Sequence, residues 1–114
     1  MKKEYGDYIE DIIDAMNKTE KFTESISYDN FINDEKTTFA VMRALEIIGE
    51  AVKNIPDTLK VKYSDIPWRD MAGMRDKLIH EYSGVRLDLV WKTVKDIIPP
   101  LKLKFQKIMD ELEN

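Results

Sequence analysis

Arg75, Asp76, His80 and Tyr82 stand within eight consecutive residues and carry the side chains of this chain best suited to chemistry. His80 is the single histidine, and cysteine is absent, so imidazole acid–base chemistry has one place to occur. Set at helical steps, residues 68–82 form an apolar stripe of Met71, Ala72, Leu78, Ile79 and Tyr82, with Arg75 in its middle. A guanidinium directed at a core or an interface must be compensated there, because an unpaired buried charge is strongly unfavourable. Two partners fit. One is a carboxylate such as Glu46 or Glu50 of the preceding helix. The other is a phosphate in a cleft, whose oxygens match the planar donor fork of arginine.

His80 falls about 140° round the same helix from Arg75, on its polar side, one turn from Asp76 and beside Glu81. It lies in the last turn before Ser83-Gly84, where a departure from regular geometry would swing it towards Arg75. Tyr82 returns to nearly the face of Arg75, since seven residues are close to two full turns. By itself that position reads as a core tyrosine.

The elements that must position these groups are all helical. No stretch alternates as a strand would, whereas several repeat apolar residues at helical spacing. The first runs from Tyr5 to Phe22, with Tyr5, Tyr8, Ile9, Ile12, Ile13 and Met16 on one stripe, and a polar connection follows over Thr23–Tyr28. The second runs from about Asp29 to Asn54 and carries Phe31, Thr38, Met42, Leu45, Ile48, Gly49 and Val52. Asp34 and Glu35 near its start and Lys53 near its end suit the helix dipole, and Pro56 stops it. Gly49 is read as a point of close helix packing, and Arg43 and Glu46 as a surface pair.

Residues 56–67 read as a Pro-bounded loop, followed by a third helix over Trp68–Tyr82 that ends at Ser83-Gly84. A fourth starts near Leu87 with Leu89, Val90, Val94, Ile97 and Ile98, and Pro99-Pro100 breaks or kinks it. Leu101, Phe105, Ile108, Met109 and Leu112 make a fifth amphipathic stretch. The expectation is one all-α domain over residues 1–114, a four- or five-helix up-and-down bundle.

The composition rules down other chemistries. Four scattered glycines cannot form a phosphate-cradling loop. One His without Cys supplies no zinc site, and Asp11 and Asp14 read as a solvated helix face. Ser25, Ser27, Ser64 and Ser83 read as caps or turn residues rather than nucleophiles. No cofactor is expected. The chain lacks a signal-peptide pattern and any apolar run of membrane length, and with no Cys a cytoplasmic setting is expected. The formal charge of −4 counts against a general, non-specific nucleic-acid binder, although a local basic patch would suffice for a specific one.

Arg75-x4-His80-x-Tyr82 resembles the R-x4-6-H-x-Y motif of the HEPN superfamily, and the chain is similar to its HepT-type toxins. The likeness continues in Arg43-Ala-Leu-Glu-Ile-Ile-Gly-Glu-Ala51, Ile66-Pro67-Trp68, Met71 to Tyr82, and Val90-Trp91, covering roughly residues 5–112. Asp76 stands where the family often has Asn, and Arg86 where an acidic residue is common. The resemblance implies a HEPN bundle, usually a homodimer, acting as a metal-independent RNase with Arg75 and His80 catalytic and Asp76 supporting. It also implies an MNT-type nucleotidyltransferase antitoxin that silences the toxin by transferring AMP units to the motif tyrosine, here Tyr82. RNA cleavage without metal needs a base for the ribose 2′-OH, an acid for the leaving oxygen and a cation for the charge on phosphorus. Two copies of His80 in one cleft would serve both proton transfers. The competing readings are a non-catalytic HEPN module that binds nucleotide or partners a nucleotidyltransferase, and a plain helical adaptor.

Overall fold

The structure, a computed structural model, describes residues 5–80 and 86–113, and within α5 it does not describe the side chains of Arg75, Leu78, Ile79 and His80. The described residues form helices joined by short connections and contain no strand: α1 (Tyr5–Thr23), α2 (Tyr28–Ile32), α3 (Glu35–Lys53), α4 (Asp57–Lys62), α5 (Trp68–His80), α6 (Leu87–Lys92) and α7 (Ile98–Glu113). The fold is the expected all-α bundle. α1 and α3 pack along each other, α7 lies on α1, and α5 lies on α3.

The α1 stripe is built as its spacing predicts, with Ile9, Ile12, Ala15 and Met16 buried, although Tyr5 remains exposed. Thr19 and Thr23 are buried too, and each hydroxyl donates to a carbonyl of its own helix, Met16 at 2.7 Å and Thr19 at 2.8 Å. Those bonds remove the penalty of burying a hydroxyl. Ser25, at φ 63°, then turns the chain out of α1 in the left-handed region.

Where one helix was expected from Asp29 to Asn54, there are two. Ser27 caps α2 by accepting from the Asn30 N–H at 3.1 Å. Asp34 caps α3 by accepting from the Thr37 N–H at 3.1 Å and the Thr37 hydroxyl at 2.6 Å. The Asp34 side chain therefore starts a new helix instead of continuing the old one. Its carboxyl is held below the usual range, chiefly by the Thr37 hydroxyl and then by the Thr37 N–H. Of the expected core of this segment, Phe31, Thr38, Leu45, Ile48, Gly49 and Val52 are buried, whereas Met42 is only partly so. Arg43 pairs with Glu46 at 2.6 Å.

The expected loop over 56–67 contains α4, whose Leu59 is buried while Val61 points outward. Pro56 precedes its first turn, where its missing N–H costs nothing. The proline pair at 99 and 100 does not break the last helix. α6 passes into α7 through one widened turn over Thr93–Ile97, in which the Ile98 N–H reaches back five residues to the Thr93 carbonyl. That extra residue absorbs the loss of donors at Pro99 and Pro100. Leu89 and Ile97, expected in the core, are 45% and 41% exposed, whereas Val90, Val94 and Ile98 are buried.

Each large buried side chain contributes about 1.5–3 kcal/mol, and the cluster at the start of α5 matters most for the site. Trp68 stands edge-on to Phe105 of α7, centroids 5.5 Å apart, and its indole N–H donates to the Tyr63 carbonyl at 3.0 Å. The Tyr63 hydroxyl donates to the Glu111 carboxylate, and Lys104 pairs with Asp65 at 3.2 Å. These contacts hold the beginning of α5 at one end of the bundle. At the other end, the Lys95 ammonium donates to the Thr23 carbonyl at 3.0 Å.

Two outcomes follow from this packing. The hydrogen bond to Glu111 lifts Tyr63 to about 12, so the proton is held more tightly in the folded state than in the unfolded one. That contribution to stability is complete below about pH 10 and is lost as pH rises through about 12. A tyrosinate absorbance titration is expected to show one late phase, absent in Tyr63→Phe. Gly73 lies inside α5 with nothing within 4 Å of a Cβ placed there. Gly73→Ala is expected to raise unfolding stability by about 0.5–1 kcal/mol in denaturant titration.

Candidate functional site

α5 begins with Pro67, whose carbonyl accepts from the Met71 N–H at 3.0 Å, and with Asp70 in its positive first turn. Trp68 and Met71 are both buried, Trp68 against Phe105 of α7, and α5 packs along α3. Position 75 follows Trp68 by seven residues and Met71 by four, so the helix carries it in the same register as these two core residues. Position 80 shares its register with Gly73 and Asp76, and Asp76 is exposed. Arg75 and His80 are thus both residues of α5, separated round the helix as their spacing predicts. Their side chains lie outside what is described. So does Tyr82 altogether, together with the expected helix end at Ser83-Gly84.

The two candidate partners of Arg75 from α3 are placed differently from each other. Glu46 is half-buried and held by Arg43 of its own helix; Glu50 stands on the exposed face. Among the described residues α5 packs along α3, and Trp68 at its start meets Phe105 of α7.

The Arg86 guanidinium grips Asp88 with two bonds, Nε to Oδ1 at 3.1 Å and Nη2 to Oδ2 at 2.7 Å. The hydrogen bond and then the charge of Asp88 raise Arg86, and the hydrogen bond from Arg86 first of all lowers Asp88. Arg86 is therefore tied to the first turn of α6.

Spacing alone missed an aromatic cluster at this end. Tyr28 stands edge-on to Trp91, centroids 5.8 Å apart at 62°, and Trp91 tilts onto Phe31 at 5.1 Å and 43°. The Lys95 ammonium lies 4.9 Å from the Trp91 ring centre. Ser27 followed by Tyr28 and Phe31 was the available signal, since a cap ahead of two aromatic residues marks a short helix in what reads as polar connection.

Among the described residues no group of three or more His, Asp or Glu side chains is arranged to hold a metal ion. No helix there is long and apolar enough to cross a membrane.

Comparison with known proteins bears on the family. The model of the Ribonuclease HepT-like family matches residues 12–108. A protein of Thermococcus cleftensis named a probable ribonuclease HepT is 56% identical over 108 residues, 95% of this chain and 98% of the relative. A Methanocaldococcus jannaschii protein with a provisional RNase name is 45% identical over 112 residues, 98% of this chain and 93% of its own. Another from that organism, named a gamma-glutamylcyclotransferase as well as an RNase of provisional standing, is 42% identical over 113 residues, 99% of this chain but 51% of its own. No solved structure gave a significant match. With the family model spanning most of the chain and the helices in the expected order, the chain belongs to the HepT-like ribonuclease family of the HEPN superfamily.

Proposed function

We propose that this chain is a metal-independent endoribonuclease toxin that cleaves cellular RNA in the cytoplasm with Arg75 and His80, in a cleft shared by two copies. The observation that carries this reading is the register of position 75. A guanidinium-bearing residue lies in line with the buried Trp68 and Met71 on a helix that packs along α3. A second copy against α5 would make the cleft two-sided and give it two imidazoles. The family and the RNase names of the relatives supply the substrate class.

The chemistry runs through the ribose. One His80 takes the proton of the 2′-OH as that oxygen attacks the adjacent phosphorus, and His80 of the second copy gives a proton to the departing 5′-oxygen. A 2′,3′-cyclic phosphate and a free 5′-hydroxyl result. Arg75 binds the non-bridging oxygens, where charge grows in the transition state. Asp76, one turn before His80, supports the imidazole's orientation. In the same reading an MNT-type nucleotidyltransferase is the antitoxin, and AMP units transferred to Tyr82 occupy the cleft, pair with Arg75 and exclude RNA.

His80→Ala and Arg75→Ala are each expected to lower EDTA-resistant RNA cleavage by about 10²-fold or more, with the helical circular dichroism of the parent retained. Cleavage by His80→Ala at the parent rate would remove His80 from the mechanism. The competing reading, a non-catalytic partner of a nucleotidyltransferase, is favoured by the charge of −4. Expression without the nucleotidyltransferase separates the two, because a toxin arrests growth and a passive partner does not. After co-expression, intact mass is expected to rise in AMP-sized steps mapped to Tyr82, and Tyr82→Phe is expected to abolish them.

A further inference from the structure

Arg69, Asp70, Gly73, Asp76 and Lys77 occupy one arc of α5, about 120° wide at 100° per residue, with Gly73 at its middle. The four charged residues are exposed. Position 75 falls about 160° round the axis from Gly73, in the core register. Glycine weakens a helix interior, and nothing within the chain calls for one here. No neighbouring atom lies within 4 Å of a Cβ placed at Gly73, and its φ is not positive. A glycine so placed suits close approach of another backbone from outside.

The charges stand in two rows beside it. On one side are Arg69, four residues before Gly73, and Asp76, three after; on the other are Asp70, three before, and Lys77, four after. Within α5 neither Arg69 nor Asp70 has an opposite charge three or four residues away, the spacing at which helix pairs form. Among the described residues Arg69, Asp70 and Lys77 make no ion pair. The pattern is self-complementary. If a second copy of α5 lies alongside, pointing the same way, the rows exchange sides across the two-fold axis. Arg69 then faces Asp70 of the second copy and Lys77 faces its Asp76, each contact occurring twice and offset by about 1.5 Å along the helix. Facing charges of this kind fix the register of an interface and exclude wrong partners.

We propose that this arc of α5 is the surface on which a second copy packs, Gly73 against Gly73, with the two helices side by side and pointing the same way. This rests on the reading of a cleft shared by two copies and names the surface that closes it. Position 80 lies only about 20° from Gly73 round the axis, so the arrangement brings both copies of position 80 to one height beside the two-fold axis. The charges also permit the reverse direction, in which Arg69 meets Asp76 and Asp70 meets Lys77. There the two copies of position 80 would stand about 20 Å apart along the helices, too far to act on one phosphate.

The chain has no cysteine, so Gly73→Cys places one thiol on each copy. Two cysteines bridge only where their Cα atoms come within about 7 Å. Mild oxidation is expected to link most Gly73→Cys chains in pairs, whereas Lys107→Cys, at an exposed position of α7, stays unlinked. Sedimentation velocity of the full chain then reads the direction. Arg69→Asp and Asp70→Arg each set like charges together twice, and each is expected to weaken association roughly 10-fold or more. The two combined are expected to restore it to within about twofold of the parent. Adjacent residues on a helix do not face each other, so that restoration cannot arise within one chain. Restoration by Asp70→Lys with Lys77→Asp instead means the reverse direction and overturns the proposal, as does parent-like association in every single reversal. Gly73→Cys that stays unlinked while the parent cleaves RNA overturns this surface alone. Linked Gly73→Cys in a chain whose parent cleaves no RNA overturns the ribonuclease reading and leaves the surface standing.

Discussion

A charge-bearing side chain at a core register position is tolerated only where something compensates it, and that requirement organises this molecule around α5. Trp68 and Met71 commit one stripe of the helix to the protein interior, and position 75 continues that stripe. An apolar residue there would extend the core by another turn. Arginine at that point calls for a carboxylate or a phosphate instead. In the proposed reading, a cleft between two copies is what admits a phosphate to that position.

The two ends of the bundle do different jobs. At the start of α5, Trp68 is fixed by a ring contact and by its indole hydrogen bond, while Tyr63–Glu111 and Lys104–Asp65 tie the preceding connection to α7. Fixing the first turn of a helix fixes the rotational position of every later residue, so these remote contacts set where positions 75 and 80 fall round the axis. The other end combines a held aromatic cluster with exposed apolar side chains.

Much of this was legible in the chain. The stripe of α1 and the core positions of α3 follow from period alone, because amphipathic helices of 19 residues repeat the pattern several times. Short elements escape that signal. α4, with six residues, holds one buried side chain, Leu59, too little to show a period. The break between α2 and α3 depends on the Asp34 side chain choosing the Thr37 N–H, a competition between capping and continuation that apolar spacing does not register. Pro99-Pro100 misleads for the opposite reason: the strong local rule against proline is met by a widened turn one residue upstream. At the candidate site, spacing placed Arg75 and His80 on one helix and set their separation round it. It was silent on the aromatic surface, since Tyr28, Phe31 and Trp91 come from separate parts of the chain and meet only in the folded molecule.

The proposed shared cleft makes one demand that neither copy alone can satisfy, since each chain brings a single imidazole. The most direct measurement is therefore the RNA cleavage rate of purified mixed dimers, one copy parent and one copy His80→Ala, isolated through two different affinity tags. If both proton transfers draw on both copies, the mixed dimer cleaves no faster than the doubly substituted one. A mixed dimer that keeps half of the parent rate would mean that each copy works alone, and would contradict a cleft built from two.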